Sequence, residues 1–128
     1  MRCLDTTVLV DYLRGEASAL ARIRELVSRG ERLATPAVSA AEVLVGAHYR
    51  GGQELARTLD LLEDLEILPF DVDTAVEAGR IGAESLRRGS PLAGNDLLVA
   101  ATARQRRGVL VSRDGVFSGI PGLAVESY

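Results

Sequence analysis

The run Cys3-Leu4-Asp5-Thr6-Thr7, leading into Val8, Leu9, Tyr12 and Leu13, narrows what this chain can fold into more than any other stretch. An apolar lead-in ends at an acid, two hydroxyls follow, and apolar residues then recur at helical spacing. The pattern predicts a short buried strand whose carboxyl end delivers Asp5 to the start of a helix. Open α/β sheets bind ligands outside the carboxyl ends of their strands, so an aspartate there is a candidate for chemistry. Aspartate is also a common helix cap, and this stretch alone is compatible with either role.

The same alternation continues along the chain. Leu20, Ile23, Leu26 and Val27 mark a helix over residues 17–27 that stops near Arg29-Gly30. Residues 32–35 are short enough for a strand, and Thr35-Pro36 suits a cap with proline in the first helical turn. Val38, Ala41, Leu44 and Val45 then form one stripe, with Glu42 beside it. Gly51-Gly52 breaks the chain before a helix carrying Leu55, Leu59, Leu62 and Leu65, and residues 66–70 form a strand leaving at Pro69. Asp71 and Asp73 start a helix over residues 75–88, with Val76, Gly79, Ile81, Gly82 and Leu86 facing inward. Asn95 caps an apolar helix over residues 96–106, stopped by Gly108. Residues 109–112 are a buried, parallel-type strand and residues 123–125 a last short one. Strands alternating with helices predict an α/β fold, a mostly parallel sheet covered on both faces. No linker or repeat divides residues 1–128, which are expected to form a single domain.

Charge removes several function classes. The chain carries 18 acids against 15 bases, and every base is arginine. Without lysine there is no P-loop. A net charge of −3 makes a poor general electrostatic binder of nucleic acid, so any such contact must come from local arginines or bound metal. The single cysteine, Cys3, lies in an apolar run and is expected to be a small buried hydrophobe. With no secretory leader pattern and no apolar run of spanning length, the chain is expected in the cytoplasm, off the membrane.

Four acids sit where solvated acids are not the rule. Asp5 ends the first strand, Glu42 borders a helix stripe, Asp96 opens an apolar helix, and Asp114 lies two residues past residues 109–112. Four carboxylates within ~5 Å of one another would repel by ~3 kcal/mol per pair at an effective dielectric near 20. Such a cluster must bind cations or hold protons. Oxygen ligands with no histidine or cysteine set favour Mg²⁺ or Mn²⁺ over zinc, and carboxylate-held Mg²⁺ can steady a phosphoryl transition state. Taken singly, Asp96 also suits a helix N-terminus and Asp114 a turn before Gly115. Spacing alone does not bring the four together.

The segments Leu4-Asp5-Thr6-Thr7-Val8-Leu9, Ala41-Glu42-Val43-Leu44-Val45-Gly46, Gly94-Asn95-Asp96-Leu97-Leu98-Val99-Ala100-Ala101-Thr102-Ala103 and Val111-Ser112-Arg113-Asp114-Gly115-Val116-Phe117 resemble, in order and spacing, the PIN domain. More narrowly they resemble the VapC toxins of prokaryotic toxin–antitoxin pairs, including an ending like Gly122-Leu123-Ala124-Val125-Glu126. The resemblance implies a three-layer α/β/α sandwich with a central, mostly parallel twisted sheet, and a Mg²⁺- or Mn²⁺-dependent endoribonuclease. It implies Asp5, Glu42, Asp96 and Asp114 as the catalytic quartet, with Asp5, Asp96 and Asp114 as metal ligands. Thr6, Thr7 and Ser112 are implied as supporting hydroxyls; Ser112 stands where many members have threonine and keeps the hydroxyl. A cognate antitoxin whose tail covers the site, and a homodimer, are implied as well. An arginine of that antitoxin is expected to enter the acidic cavity, with apolar neighbours packing between the helices at residues 8–13 and 38–46.

Several residues receive lesser roles. His48 is expected at the surface, and Asp11, placed away from the Val8/Tyr12 arc, in solvent. Arg104, Arg106 and Arg107 close a helix, where its dipole favours cations. Arg87, Arg88 and Arg113 flank acidic blocks and are candidates for RNA phosphate contact. An aspartyl-nucleophile phosphatase would want a second aspartate two residues after Asp5, where this chain has Thr7, and a receiver domain would want a lysine. An RNA-processing PIN nuclease that is no toxin, and a degenerate PIN domain that only binds, are the alternatives; the intact quartet stands against the second.

Overall fold

Strand β1 (Arg2–Leu4) runs through the middle of a five-stranded sheet in the order β3-β2-β1-β4-β5, with every pairing parallel. On one side lies β2 (Leu33–Pro36), with Cys3 opposite Ala34; on the other lies β4 (Val109–Val111), with Leu4 opposite Val111. Strands β3 (Glu66–Leu68) and β5 (Ala124–Glu126) form the edges. The computed structural model describes residues 1–92 and 94–128. Parallel neighbours need long crossovers. Helices α1 (Thr6–Leu13) and α2 (Ala17–Ser28) join β1 to β2, and α3 (Ala37–Arg50) and α4 (Gly52–Glu63) join β2 to β3. Helices α5 (Val72–Arg87) and α6 (Gly94–Gln105) precede β4, and a 3₁₀ turn, Gly115–Phe117, lies between β4 and β5.

Successive strand residues point to opposite faces, and the core divides accordingly. Cys3 and Leu110 pack with Ala78 and Ile81 of α5 and with Val99 and Ala100 of α6. Leu4 and Val111 pack on the other face with Val8 and Leu9 of α1 and with Ile23 and Leu26 of α2. The result is the expected α/β/α sandwich, and no described helix is long and apolar enough to cross a membrane.

The helix faces depart from the expected stripes. In α3 the buried residues are Ser39, Ala40, Val43 and Ala47, while Val45 is 73% exposed. In α5 they are Thr74, Ala78, Ile81 and Ser85, while Val76 and Leu86 face outward. In α4 Thr58 is buried and its neighbour Leu59 is exposed. The cause is chemical. Thr58 Oγ1 donates to the Glu54 carbonyl at 2.8 Å and Ser85 Oγ to the Gly82 carbonyl at 2.8 Å. A hydroxyl satisfied by its own helix is buried at little cost, so Thr58 and Ser85 take core positions that hydropathy assigns to valine and leucine; the buried Ser39 hydroxyl of α3 has no such partner among the described residues.

Two caps are also corrected. Thr35 belongs to β2, where its Oγ1 donates to the Leu4 carbonyl at 2.8 Å and ties β2 to β1; the cap position of α3 is Pro36. Helix α6 begins at Gly94, so Asn95 lies in its first turn rather than before it.

Adjacent residues of α2 test this assignment of faces. Leu26 is fully buried and Val27 is 60% exposed, although both belong to the expected stripe. Leu26→Ala should cost about 2–5 kcal/mol in urea unfolding. Val27→Ala should stay within about 0.5 kcal/mol of wild type. Similar losses for the two would mean that α2 packs through another face.

Candidate active site

The strand order reverses at one place. From β1 the chain steps outward to β2 and β3, then returns to the other side of β1 for β4 and β5. Loops leaving the carboxyl ends of β1 and β4 therefore diverge, and the crevice between them is where open α/β sheets take their ligands. Asp5 follows β1 directly, and its amide donates to the Val111 carbonyl at 3.2 Å, prolonging the β1–β4 pairing by one residue. Its side chain is the cap of α1 as well: Oδ1 accepts from the Val8 amide at 3.0 Å and from Thr7 Oγ1 at 2.7 Å. The cap role is thus observed, at the strand end where the sequence set Asp5.

Asp114 stands two residues beyond Ser112, and its amide donates to Ser112 Oγ at 3.0 Å. Its own Oδ1 accepts from the Val116 amide at 3.0 Å and caps the 3₁₀ turn. Glu42 projects from the exposed side of α3, where Thr6 Oγ1 donates to its Oε1 at 3.0 Å. Asp96 lies in the first turn of α6. Asp5, Glu42, Asp96 and Asp114 line one cavity of about 150 Å³ together with Thr6, Thr7, Val99 and Phe117. Among the described residues no three acids are already gathered into a ligand set; the carboxylates stand around the cavity instead.

The electrostatics follow from that grouping. Asp5 is 3% exposed, and burial pushes its carboxyl above the usual range against the opposing hydrogen bonds of Ser112, Thr7 and Val8. Asp96 is raised too, first by burial and then by the negative charges of Asp114, Glu42 and Asp5. Among the described residues none of the four forms an ion pair. Like charges grouped around one cavity disfavour full ionisation of all four acids.

The remaining expectations divide. His48 is exposed in the last turn of α3. Arg104 ties α6 to Glu77, Glu84 and the Pro121 carbonyl, and Arg106 reaches Asp71, Thr74 and the Pro69 carbonyl, so both are structural. Arg87 and Arg88 are exposed at the end of α5, outside the acidic cavity. Asp11, expected in solvent, is buried. It lies on the face of α1 that carries Thr7, four residues earlier, and receives Tyr128 Oη at 2.7 Å and the guanidinium of Arg113 at 3.2 Å. The Thr7/Asp11 spacing was a usable signal; nothing local pointed to Tyr128.

A parallel sandwich whose strand reversal gathers four carboxylates and two threonine hydroxyls around one cavity defines an α/β protein with an acidic site at the carboxyl ends of its strands. The chain belongs to the PIN-domain family, whose model matches residues 2–123. It is 30% identical to the tRNA(fMet)-specific endonuclease VapC of Salmonella typhimurium, over 98% of this chain and 96% of the relative. It is 32% identical to Ribonuclease VapC5 of Mycobacterium tuberculosis, over 94% of this chain and 88% of the relative. Among solved structures it resembles DNA-bound VapBC from Salmonella typhimurium with a TM-score of 0.86 at 26% identity, covering 98% and 96% of the two chains. A second likeness, in fold, is to VapBC2 from Rickettsia felis bound to a promoter DNA fragment, with a TM-score of 0.86 at 24% identity over 99% and 98%.

The raised Asp96 carboxyl has a consequence for stability. A carboxyl whose folded pKa lies above its unfolded value favours the fold below the unfolded pKa, and that advantage is lost as pH rises through the folded pKa. At pH 7 with chelator present, Asp96→Asn should therefore melt above wild type. The gap should narrow as the pH falls toward the ordinary aspartate range near about 4. A wild type that melts as high as the variant at pH 7 would show that the four charges are not crowded.

Proposed function

We propose that this protein is an endoribonuclease, the toxin of a VapBC-type toxin–antitoxin pair. One PIN domain spanning residues 1–128 hydrolyses RNA phosphodiester bonds at the cavity of Asp5, Glu42, Asp96 and Asp114. The observation that carries this reading is the meeting of those four acids at the reversal of strand order. The ribonuclease names of its relatives support it.

The donor set fits a hard divalent cation. The cavity offers carboxylate and threonine oxygens with no histidine or cysteine, and the repulsion that raises Asp96 is of the kind a cation relieves. Asp5, Asp96 and Asp114 would hold Mg²⁺ or Mn²⁺. Such an ion, when bound, supplies Lewis acidity toward a phosphoryl oxygen. Thr7 and the Val8 amide fix the Asp5 carboxylate in place, and Ser112 fixes the turn that presents Asp114. Glu42, steadied by Thr6, keeps acceptor capacity to orient the attacking water and take its proton. Val99 and Phe117 give the cavity an apolar wall. Arg88 lines a groove of about 630 Å³ with Ser85, Ser90, Gly115 and Ser118; Gly115 follows Asp114 in the chain, and we assign the incoming RNA strand to this groove, with Arg88 on its phosphates and Arg87, outside the lining, as a flanking cation.

The partner proteins follow from two other surfaces. A cavity of about 170 Å³ between α1, α3 and α4 is lined by Val10, Leu13, Val43, Gly46 and Ala47, and also by Glu42 of the acidic site. An antitoxin segment with apolar anchors and one arginine would occupy both at once. Its apolar part matters, because an exposed ion pair alone contributes only ~0–1 kcal/mol. The exposed stripe Val72, Val76 and Leu86 on α5 supports a homodimer. A cytoplasmic location goes with this reading, and the unpaired, buried Cys3 supports it.

Asp5→Asn keeps the helix cap but removes a charge, so RNA cleavage should fall by orders of magnitude while the circular dichroism stays native. His48→Ala should cleave like wild type. Mn²⁺ at 100 times its dissociation constant should stabilise wild type by about 2.7 kcal/mol, and Asp5→Asn/Asp96→Asn far less. Full cleavage by Asp5→Asn with loss in His48→Ala would mean that the chemistry lies elsewhere.

The antitoxin assignment has its own measurement. Changing the acid-facing arginine of the purified antitoxin to glutamate should weaken both its binding and its inhibition of cleavage. Equal inhibition by the glutamate form would refute occupation of the carboxylate cavity by arginine.

A further inference from the structure

Asp11 is an acid that the cavity does not use, yet it is 2% exposed. A carboxylate buried this deeply needs partners, and it has them from two distant segments. Tyr128 Oη donates to Oδ2 at 2.7 Å. Arg113 sets its planar fork against the same group, Nη2 donating to Oδ1 at 3.2 Å and Nε lying 3.2 Å from Oδ2. Burial and the Asp11 carboxylate push the Tyr128 phenol up to about 12, so at neutral pH it remains a donor.

Each partner also borders the acidic site. Tyr128 Oη lies 3.5 Å from Thr7 Oγ1, the hydroxyl that donates to Asp5. Arg113 is the residue between Ser112 and Asp114. Strand pairing holds Asp5 to Val111, but Asp114 lies three residues farther on, beyond the β1–β4 ladder. Ser112, which bonds the Asp5 carboxyl and the Asp114 amide, is one tie between that turn and α1, and the fork of Arg113 on Asp11 is the second.

We propose that Asp11, Arg113 and Tyr128 form a clamp that fixes the spacing of Asp5 and Asp114, with Asp11 as its centre and a positioning residue for the reaction. This rests on the nuclease reading of the acidic cavity. Asp5 moves with α1 and Asp114 moves with its turn, and groups that share a ligand or a transition state tolerate displacements of well under about 1 Å. The clamp has a second effect. With its fork turned onto Asp11, the Arg113 cation does not pair with the neighbouring Asp114, and the cavity keeps its negative charge.

The test uses Asp11→Asn, Arg113→Gln, the double variant and Tyr128→Phe in the full chain. Steady-state cleavage of a short RNA and calorimetric titration with Mn²⁺ are the readouts. Asp11→Asn should lose roughly 10–100-fold in kcat and a similar factor in Mn²⁺ affinity. Its KM should stay within about twofold of wild type, because no substrate contact is removed. Arg113→Gln should match it, and the double variant should be no worse than either single one, as expected of residues acting as a unit. If Asp11→Asn does not fold, Tyr128→Phe carries the test, since it keeps the ring and loses only the donor; it should lower kcat and Mn²⁺ affinity several-fold. A lower melting temperature with unchanged kcat and Mn²⁺ affinity would overturn the clamp. So would a raised KM and altered salt dependence in Arg113→Gln alone, which would make Arg113 an RNA contact. Should wild type cleave no RNA, the nuclease reading fails, and the Mn²⁺ affinities decide by themselves: equal values in wild type and Asp11→Asn overturn the clamp.

Discussion

The parallel pairing of β1 with β4, Leu4 opposite Val111, decides where the acidic cavity of this chain lies. It creates the reversal in strand order, and it sets Asp5 level with the first residues beyond β4. The pairing is held in register by the two faces of the core. Cys3 and Leu110 belong to one, Leu4 and Val111 to the other. A slip of one residue would turn each apolar side chain to the wrong face and carry Asp5 out of the crevice, so the register is guarded by most of the buried surface. Packing that looks remote from the site thus holds its geometry.

Asp5 shows how one residue meets several demands. Its backbone prolongs a strand, its Oδ1 caps a helix, and its charge faces three other acids. The cap stabilises α1 and burial works against ionisation, and both effects act on the same carboxylate. Thr7 mediates between them, because its hydroxyl donates to Asp5 while its backbone lies in the first turn of the helix being capped. Replacing a supporting hydroxyl here would disturb cap and site together.

This explains which features were legible before the fold was known. Short apolar runs bounded by glycine and polar turns announced the strands, and Asp5 and Asp114 stood out because acids followed such runs. Glu42 and Asp96 were visible as acids beside apolar helix stripes, although only the order of motifs linked them to the strand-end pair. The helix faces were hidden because α3, α4 and α5 bury alanine, serine and threonine, and periodicity in hydropathy weights those residues too lightly. Asp11 was hidden for another reason. Its partners Arg113 and Tyr128 lie 102 and 117 residues away, and a charge that is satisfied only across the fold looks, in sequence, like one left to solvent.

The exclusive use of arginine gains meaning from these contacts. Arg104 and Arg106 each reach two side chains and a carbonyl, and Arg2 and Arg22 meet on Glu126, as a planar fork can and a lysine ammonium does less well. The forks bind helices to loops and strand edges around the periphery, consuming positive charge against acids that have no chemical task. Among the described residues the cavity acids receive none of it. Arg113, one residue from Asp114, is the cation placed to break that pattern, and its fork is taken by Asp11. The negative potential of the cavity therefore does not come from a strongly acidic protein, since the net charge is only −3. It comes from four carboxylates around one cavity, none of them in an ion pair among the described residues.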